Sequence, residues 1–534
     1  MSSHEMASAL ASALAEAGAD TIFGMPGGGN NLDVIGAAEA AGLRFVLAHG
    51  ETNAVLMAAV YGDLTGRLTA CVVTRGPGAA SAVNGVANAL LDRQAVLLVA
   101  DSVDSAAAPR ILHQQLDQRA MFAPIAKWVA VLTEQDPGAT ARAAISVAMT
   151  PPRGPVVVNV DPPGADPSVP DVDGDVVAKL PEDFTARIAA ARRPIIVLGT
   201  GARDAATEVR ELVRGTSVPV LTTYRAKGLI PESWPNAAGV MTGASIEAPL
   251  LEEADLICFI GVDTVEFIPN PWPYSAPVLS LAGWSESSSY LDIEQEIVGD
   301  LPALVTSLGG SWAETDWSPS AAGEHRATQR SRILDGPAEE HAASSGLAPG
   351  RIVAIARETC PPGTIATIDA GAHMLPAMEL WDVENHDEVL ISSGLATMGY
   401  SLPAAIGAAF ARPSRPVIAF IGDGGLGMCA GELETLTRYR LAVTVVVFND
   451  SRLSLIAIKA KPSGHGGDNA VAFTHVDFAE VGRGFGLSTA SVTSEDELAQ
   501  ALRQRIDDGG PGLIDVRTDP RTYRHLMQVI RGVR

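Results

Sequence analysis

The sequence predicts an α/β protein made of three doubly wound parallel sheets, and three observations predict it. Short, wholly apolar runs such as residues 443–448 stop at glycine, asparagine or carboxylate turns, the pattern of strands buried on both faces. Stretches with helical spacing separate these runs, as the crossovers of a parallel sheet require. The alternation starts afresh near residues 185 and 347, in a chain of 534 residues that is 47% hydrophobic and so long enough to bury several cores.

Asp and Glu outnumber Lys and Arg by 62 to 38, a net charge of −24 that argues against nucleic acid or an anionic membrane as a partner. Cys71, Cys258, Cys360 and Cys429 lie far apart in or beside apolar stretches, without CxxC spacing, and read as buried thiols of a reducing compartment. No apolar run reaches about 18 residues and no basic region followed by an apolar core opens the chain. The expectation is a cytoplasmic protein.

In the first domain, residues 1–165, a helix over 5–17 leads to a short strand that ends in the glycine turn of Gly27 and Gly28. A strand over 44–48 stops at His49, Gly50 and Glu51. A helix (53–65), a strand (69–74), the turn Gly76, Pro77, Gly78, another helix and strands at 95–100 and 155–160 follow. The strand ends bring the glycine turns, Glu51 and the loop of His113 and Gln114 to one edge, where such sheets bind ligands. Glu51 opens a helix, a place where the dipole stabilises a carboxylate whatever else it does.

The pattern restarts in a second domain, residues 185–310. Its turn Gly199, Thr200, Gly201 has no third glycine in place and no acid at the end of the next strand, so a fold role is favoured over dinucleotide binding. Residues 311–345, rich in Ser, Ala, Glu and Gly, read as an exposed linker with room for a short helix.

In the third domain, residues 346–534, a strand over 363–368 ends at Asp369, Ala370, Gly371, Ala372 and His373, and residues 393–400 precede a helix. A strand over 416–421 ends at Gly422, Asp423 and Gly424, a helical stretch carries Leu433, Leu436 and Tyr439, and the strand over 443–448 ends at Asn449 and Asp450. A helix over 453–460 carries Leu455 and Lys459, and a helix, a strand (513–516) and a last helix close the chain. In a parallel sheet Asp423 and Asp450 meet at one edge. Glycines beside Asp423 admit a ligand close to the backbone, and the amides of Gly424 and Gly425 at the helix start suit a phosphate. Carboxylates plus a backbone carbonyl suit Mg²⁺.

Asp450 follows Gly424 by 26 positions with hydrophobic strand on both sides, and this segment resembles the diphosphate-and-magnesium motif of the thiamine diphosphate (ThDP) enzymes. The resemblance implies that Asp423, Asp450 and the main-chain carbonyl of Arg452 hold Mg²⁺; many members carry asparagine where Asp450 stands. A second segment, HGETNAVLMAAVYGDLTGRLTACVVTRGPGAASAVNGVANA, resembles the catalytic-glutamate segment of the acetolactate synthase branch, with Glu51 at the family's distance before Tyr61 and Gly66. Together they imply pyrimidine-binding, middle and diphosphate-binding domains in that order. They further imply cofactor contacts from Gly27, Gly28, Glu51, Gly76, Gly371, His373, Gly422, Asp423, Gly424, Gly425, Asn449, Asp450 and Leu455. The Ala396 carbonyl would accept from the cofactor's 4′-amino group, and Met398 would wedge beneath it. A homodimer or homotetramer is implied, with Glu51 from one subunit and the magnesium site from another. Relatives that keep FAD or ADP in the middle domain carry a basic and acidic signature after the strand ending at Gly261; residues 262–269 here, VDTVEFIP, depart from it, which argues against FAD.

The implied activity is that of a 2-oxo acid decarboxylase or carboligase similar to acetolactate synthase. The electron sink is the ThDP ylide, an enamine follows loss of CO₂, and Glu51 shares a proton with N1′ of the aminopyrimidine. His113 and Gln114 stand where acetolactate synthases carry Phe-Gln and pyruvate decarboxylases a histidine pair, and both are candidate catalytic residues. Lys459 replaces a large aromatic of the second-substrate pocket, either as a solvated helix lysine or as a partner for a substrate carboxylate. A ThDP-dependent C–C lyase or hydrolase and a flavin-linked oxidase on the same scaffold remain open alternatives.

Overall fold

The computed structural model describes residues 3–102, 110, 113–132, 135–160, 179–267, 271–285, 291–312, 314–335, 346–463 and 467–532. Apolar runs with little helical preference form three six-stranded sheets in which every neighbouring pair is parallel. The first sheet holds β1 (Thr21–Met25), β2 (Arg44–Leu47), β3 (Ala70–Val73), β4 (Val96–Asp101), β5 (Trp128–Leu132) and β6 (Pro155–Val160), in the order β2-β1-β3-β4-β6-β5. The second holds β7 (Pro194–Leu198), β8 (Val220–Thr222), β9 (Ala237–Val240), β10 (Leu256–Ile260), β11 (Val278–Ala282) and β12 (Ile293–Val298), ordered β12-β11-β10-β7-β8-β9. The third holds β13 (Ile365–Ile368), β14 (Val389–Ile391), β15 (Val417–Gly422), β16 (Val443–Asn449), β17 (Ser488–Val492) and β18 (Gly512–Arg517), ordered β14-β13-β15-β16-β18-β17. The first and third sheets thus repeat one topology, each with its connections diverging where the first and third strands lie side by side (β1 and β3; β13 and β15). Ligands of doubly wound sheets bind at that crevice.

The first and third sheets share a core. The helix Glu51–Thr65 lies against the helix Ser401–Ala411 so closely that a Cβ on Gly407 would stand 2.5 Å from the Met57 carbonyl oxygen. Phe23, Val55, Ile406 and Leu433 belong to one buried cluster across this seam. The second sheet is fastened by charge. Burial pushes Asp63 up, but Arg203 (2.8 Å) and Arg225 (3.3 Å) outweigh it and hold the carboxyl down at about 2.

One feature differs from expectation. Residues 321–334 of the segment read as an exposed linker form a 14-residue helix, Ala321–Leu334, that buries Ala322, Gln329 and Ile333. Arg326 and Arg330 of this helix both reach Asp382 (2.5 and 2.7 Å), which anchors it. In the second sheet, the Gly201 N–H donates to the Gly261 carbonyl (2.8 Å), and a Cβ on Gly199 would meet Val262 Cα at 2.3 Å. The glycines after β7 therefore let two strand-end turns touch, the fold role the sequence favoured for them.

Candidate active site

In the third sheet β13, β15 and β16 run side by side and end together at Asp369, Gly422 and Asn449. Their loops enclose a cleft of about 230 Å³ lined by Gly371, His373, Ala396, Met398 and Leu455 from the flanks. Its floor is Gly422, Asp423, Gly424 and Gly425, with Asp450 and Arg452 opposite. A second cavity of about 620 Å³ shares Met398, Asp423, Gly424 and Leu453 with it and adds Met428, Phe473 and Val476.

Asp423 is the first residue of the helix Asp423–Cys429, and main-chain donors hold its carboxylate. Oδ1 accepts the Gly424 N–H (2.6 Å), and Oδ2 accepts those of Asp450 and Arg452 (3.2 Å each). Burial raises its pKa against these bonds. Asp450 is pushed up to about 7, by burial first and then by the neighbouring Asp423 charge, although the Ser454 hydroxyl donates to Oδ2 at 2.5 Å. Two buried carboxylates beside a cleft, the charge of Asp423 raising Asp450, form a site whose negative charge a cation relieves. Ser451 has φ +57°, and the Arg452 carbonyl beyond it accepts one N–H, from Ser454 at 3.0 Å, leaving a second lone pair.

Asp369 organises the opposite wall. Fully buried, it accepts the N–H groups of Gly399 (3.1 Å), Tyr400 (2.7 Å) and Ser401 (3.3 Å), and burial still pushes it up to about 7. These bonds fix the turn that carries Met398, while Ala396 sits at φ +52°, a conformation non-glycine residues adopt at some cost. A Cβ on Gly425 would lie 2.0 Å from Asp369 Oδ2. His373 stacks on Phe448 (centroids 5.1 Å apart) and burial pushes it down to about 4. Its Nε2 is buried without a hydrogen-bond partner among the described residues. Asn449 turns elsewhere: its amide donates to the Val476 carbonyl (2.9 Å) and to Asp515 (3.0 Å), bracing the loop after β16.

At the first sheet the corresponding edge gathers the remaining predicted residues. Glu51 begins its helix behind an extended Gly50. A Cβ on Gly78 would come within 3.2 Å of Glu51 Oε1, one on Gly27 within 2.7 Å of Thr74, and one on Gly76 within 2.5 Å of the Gln114 carbonyl, itself at φ +59°. Gly28 has open space around it, and His113 is exposed. None of these residues lines either cavity of the third sheet. Sequence reasoning did not single out Glu432, which is fully buried and accepts from the His49 N–H and the Asn53 amide (2.9 Å each), tying the start of the Glu51 helix to the third domain. Nor did it single out Ser454, whose i, i+4 spacing from Asp450 was there to be read.

The residues fit a diphosphate and a hard cation: glycines leave a cradle that side chains would fill, a buried imidazole nitrogen lacks a partner, and the oxygens are carboxylate and carbonyl. Family models of the thiamine pyrophosphate enzyme match in three places: the N-terminal TPP binding domain over residues 4–121, the central domain over 182–308 and the C-terminal TPP binding domain over 369–516. The chain is 28% identical over 534 residues to an acetolactate synthase of Bacillus subtilis (strain 168), covering 95% of this chain and 92% of that protein. It is 29% identical over 548 residues to a catabolic acetolactate synthase of Raoultella terrigena, covering 97% and 96%. In fold it is similar to the Rhodococcus jostii RHA1 thiamine diphosphate-dependent 4-hydroxybenzoylformate decarboxylase, with a TM-score of 0.80, 22% identity and coverage of 97% and 99%. Among the described residues no helix is long and apolar enough to cross a membrane. The chain belongs to the thiamine pyrophosphate enzyme family, in its acetolactate synthase-like branch, and its outer domains are ThDP-binding domains.

Proposed function

We propose that the protein is a ThDP- and Mg²⁺-dependent decarboxylase or carboligase of 2-oxo acids that works as a pair of chains, each supplying half of two active sites. The observation that carries this is the division of the predicted residues: the carboxylate pair sits in a cleft of the third sheet, and Glu51 sits at an edge of the first that does not line it. The surroundings of both edges support a covered face, since Met428 (67% exposed), Phe473 (47%) and Leu116 (50%) are large apolar side chains left in solvent by a single chain.

Bound ThDP supplies the electron sink that no side chain offers. Asp423, Asp450 and the Arg452 carbonyl would hold the cation, while Gly424, Gly425 and His373 would face the diphosphate. Met398, on a turn pinned by Asp369, would support the cofactor between its two ends. Glu51 would hold a proton at N1′ of the aminopyrimidine. Gln114 would orient the substrate, and His113, beside it on the same loop, would offer it a hydrogen-bonding ring nitrogen.

The test is to offer purified protein with ThDP and Mg²⁺ a panel of 2-oxo acids, from pyruvate to larger and dicarboxylic ones, and to identify CO₂ and products by mass spectrometry. Aldehydes identify a decarboxylase and hydroxyketones or acetohydroxy acids a carboligase. ThDP binding without CO₂ from any acid refutes the 2-oxo acid reading and moves the search to lyase and hydrolase substrates.

A further inference from the structure

Asp423 and Asp450 are held in different ways. Among the described residues the Asp423 carboxylate takes main-chain N–H groups, which any side chains at those positions would supply. Asp450 instead takes a side-chain donor, the hydroxyl of Ser454, four residues on in the first turn of the helix Ser454–Ser463, 8% exposed and lining the same cleft. The bond is to Oδ2 alone, at 2.5 Å.

A carboxylate can grip a cation with both oxygens, and an amide with only one. Mg²⁺ demands a near-octahedral shell at about 2.0–2.1 Å, whereas Ca²⁺, at about 2.3–2.6 Å, accepts carboxylates through one oxygen or two. An aspartate at this place therefore opens the site to the larger cation unless one of its oxygens is engaged. We propose that Ser454 is a positioning residue that engages Asp450 Oδ2, presents the carboxylate to the metal through Oδ1 alone, and so sets the preference of the site for Mg²⁺ over Ca²⁺. This rests on the cation role assigned above to Asp423 and Asp450. The hydroxyl also fixes the rotation of the carboxyl group, since turning it to chelate breaks a charge-assisted bond.

The test titrates MgCl₂ and, separately, CaCl₂ into protein carrying saturating ThDP, by isothermal titration calorimetry, for wild type, Ser454→Ala, Ser454→Gly and Ser454→Thr. The quantity of interest is the ratio of the two dissociation constants, which needs no turnover. Loss of the hydroxyl in Ser454→Ala and Ser454→Gly shifts that ratio toward Ca²⁺ by about ten- to a hundredfold, the worth of one hydrogen bond to a charged group, and Ser454→Thr keeps the wild-type ratio. A ratio unchanged in both variants, or both cations weakened by the same factor, overturns the proposal, because a merely structural serine would do the latter. A wild type that takes up neither cation overturns the metal assignment itself, and this proposal with it.

Discussion

Gly425 offers a sharp test of how the cofactor cleft is built. A Cβ there would stand 2.0 Å from Asp369 Oδ2, far inside van der Waals contact. A free carboxylate would swing aside cheaply. This one is fully buried and bound by the N–H groups of Gly399, Tyr400 and Ser401, so a swing breaks them. Losing two of three such bonds costs about 1.5–3 kcal/mol each, while alanine returns up to about 1 kcal/mol of helix propensity. Gly425→Ala is therefore expected to destabilise the third domain by about 2–5 kcal/mol and to weaken ThDP binding by displacing the turn that carries Met398. Gly427, two residues on in the same helix, is the control: its Cβ would meet open space, so Gly427→Ala is neutral or gains about 0.5–1 kcal/mol. Urea unfolding and calorimetric titration of ThDP in Mg²⁺ measure both effects. Equal stability and equal ThDP affinity in the two variants would refute the reasoning.

Other expectations follow from the same buried groups. Glu432→Ala strands the His49 N–H and the Asn53 amide, at about 1–3 kcal/mol each, and Asn53→Ala added to it costs less than it does alone; additive losses in the double-mutant cycle would count against the pairing. Burial pushes Glu379 up to about 8 from 4.5, with Oε1 sealed from water and without a partner among the described residues. The folded protein thus keeps a proton that the unfolded chain sheds across this window, and stability falls as pH rises, by about 1.4 kcal/mol per unit between about 4.5 and 8. Glu379→Gln should match wild type near pH 5 and exceed it at pH 8 in urea unfolding; the same slope for both would disprove it.

The central strands were legible because a strand buried on both faces is written as an unbroken apolar run, as in β15 and β16. The strands that escaped, β5, β9, β12, β14 and β17, are all sheet edges. An edge strand is paired on one side and often half solvated, so β12 (IEQEIV) and β17 (STASV) bury one residue each, β14 is three residues long, and β9 is interrupted by Gly239. β5, apolar throughout, was readable in principle. At the site, Asp423, Asp450 and Glu51 were visible because each sits at a strand end, Asp423 and Glu51 next to glycine and Asp450 after Asn449. Glu432 was not, since its partners His49 and Asn53 lie more than 375 positions away and meet it only through tertiary packing. The helix Ala321–Leu334 hid for a related reason: its composition is polar, and it is held by arginines that find Asp382 rather than by a wide apolar face.

The central claim, that each active site joins Glu51 of one chain to the carboxylate pair of another, is tested most directly by complementation. Glu51→Gln and Asp423→Ala chains, each inactive alone, are co-expressed with different affinity tags, and the hybrid is purified and assayed for ThDP-dependent turnover of the acid that wild type accepts. The account predicts restored activity in the hybrid, up to about half the wild-type rate per dimer, because one of its two sites is assembled from intact halves. A hybrid as inactive as its parents, or a Glu51→Gln protein as active as wild type, would contradict it.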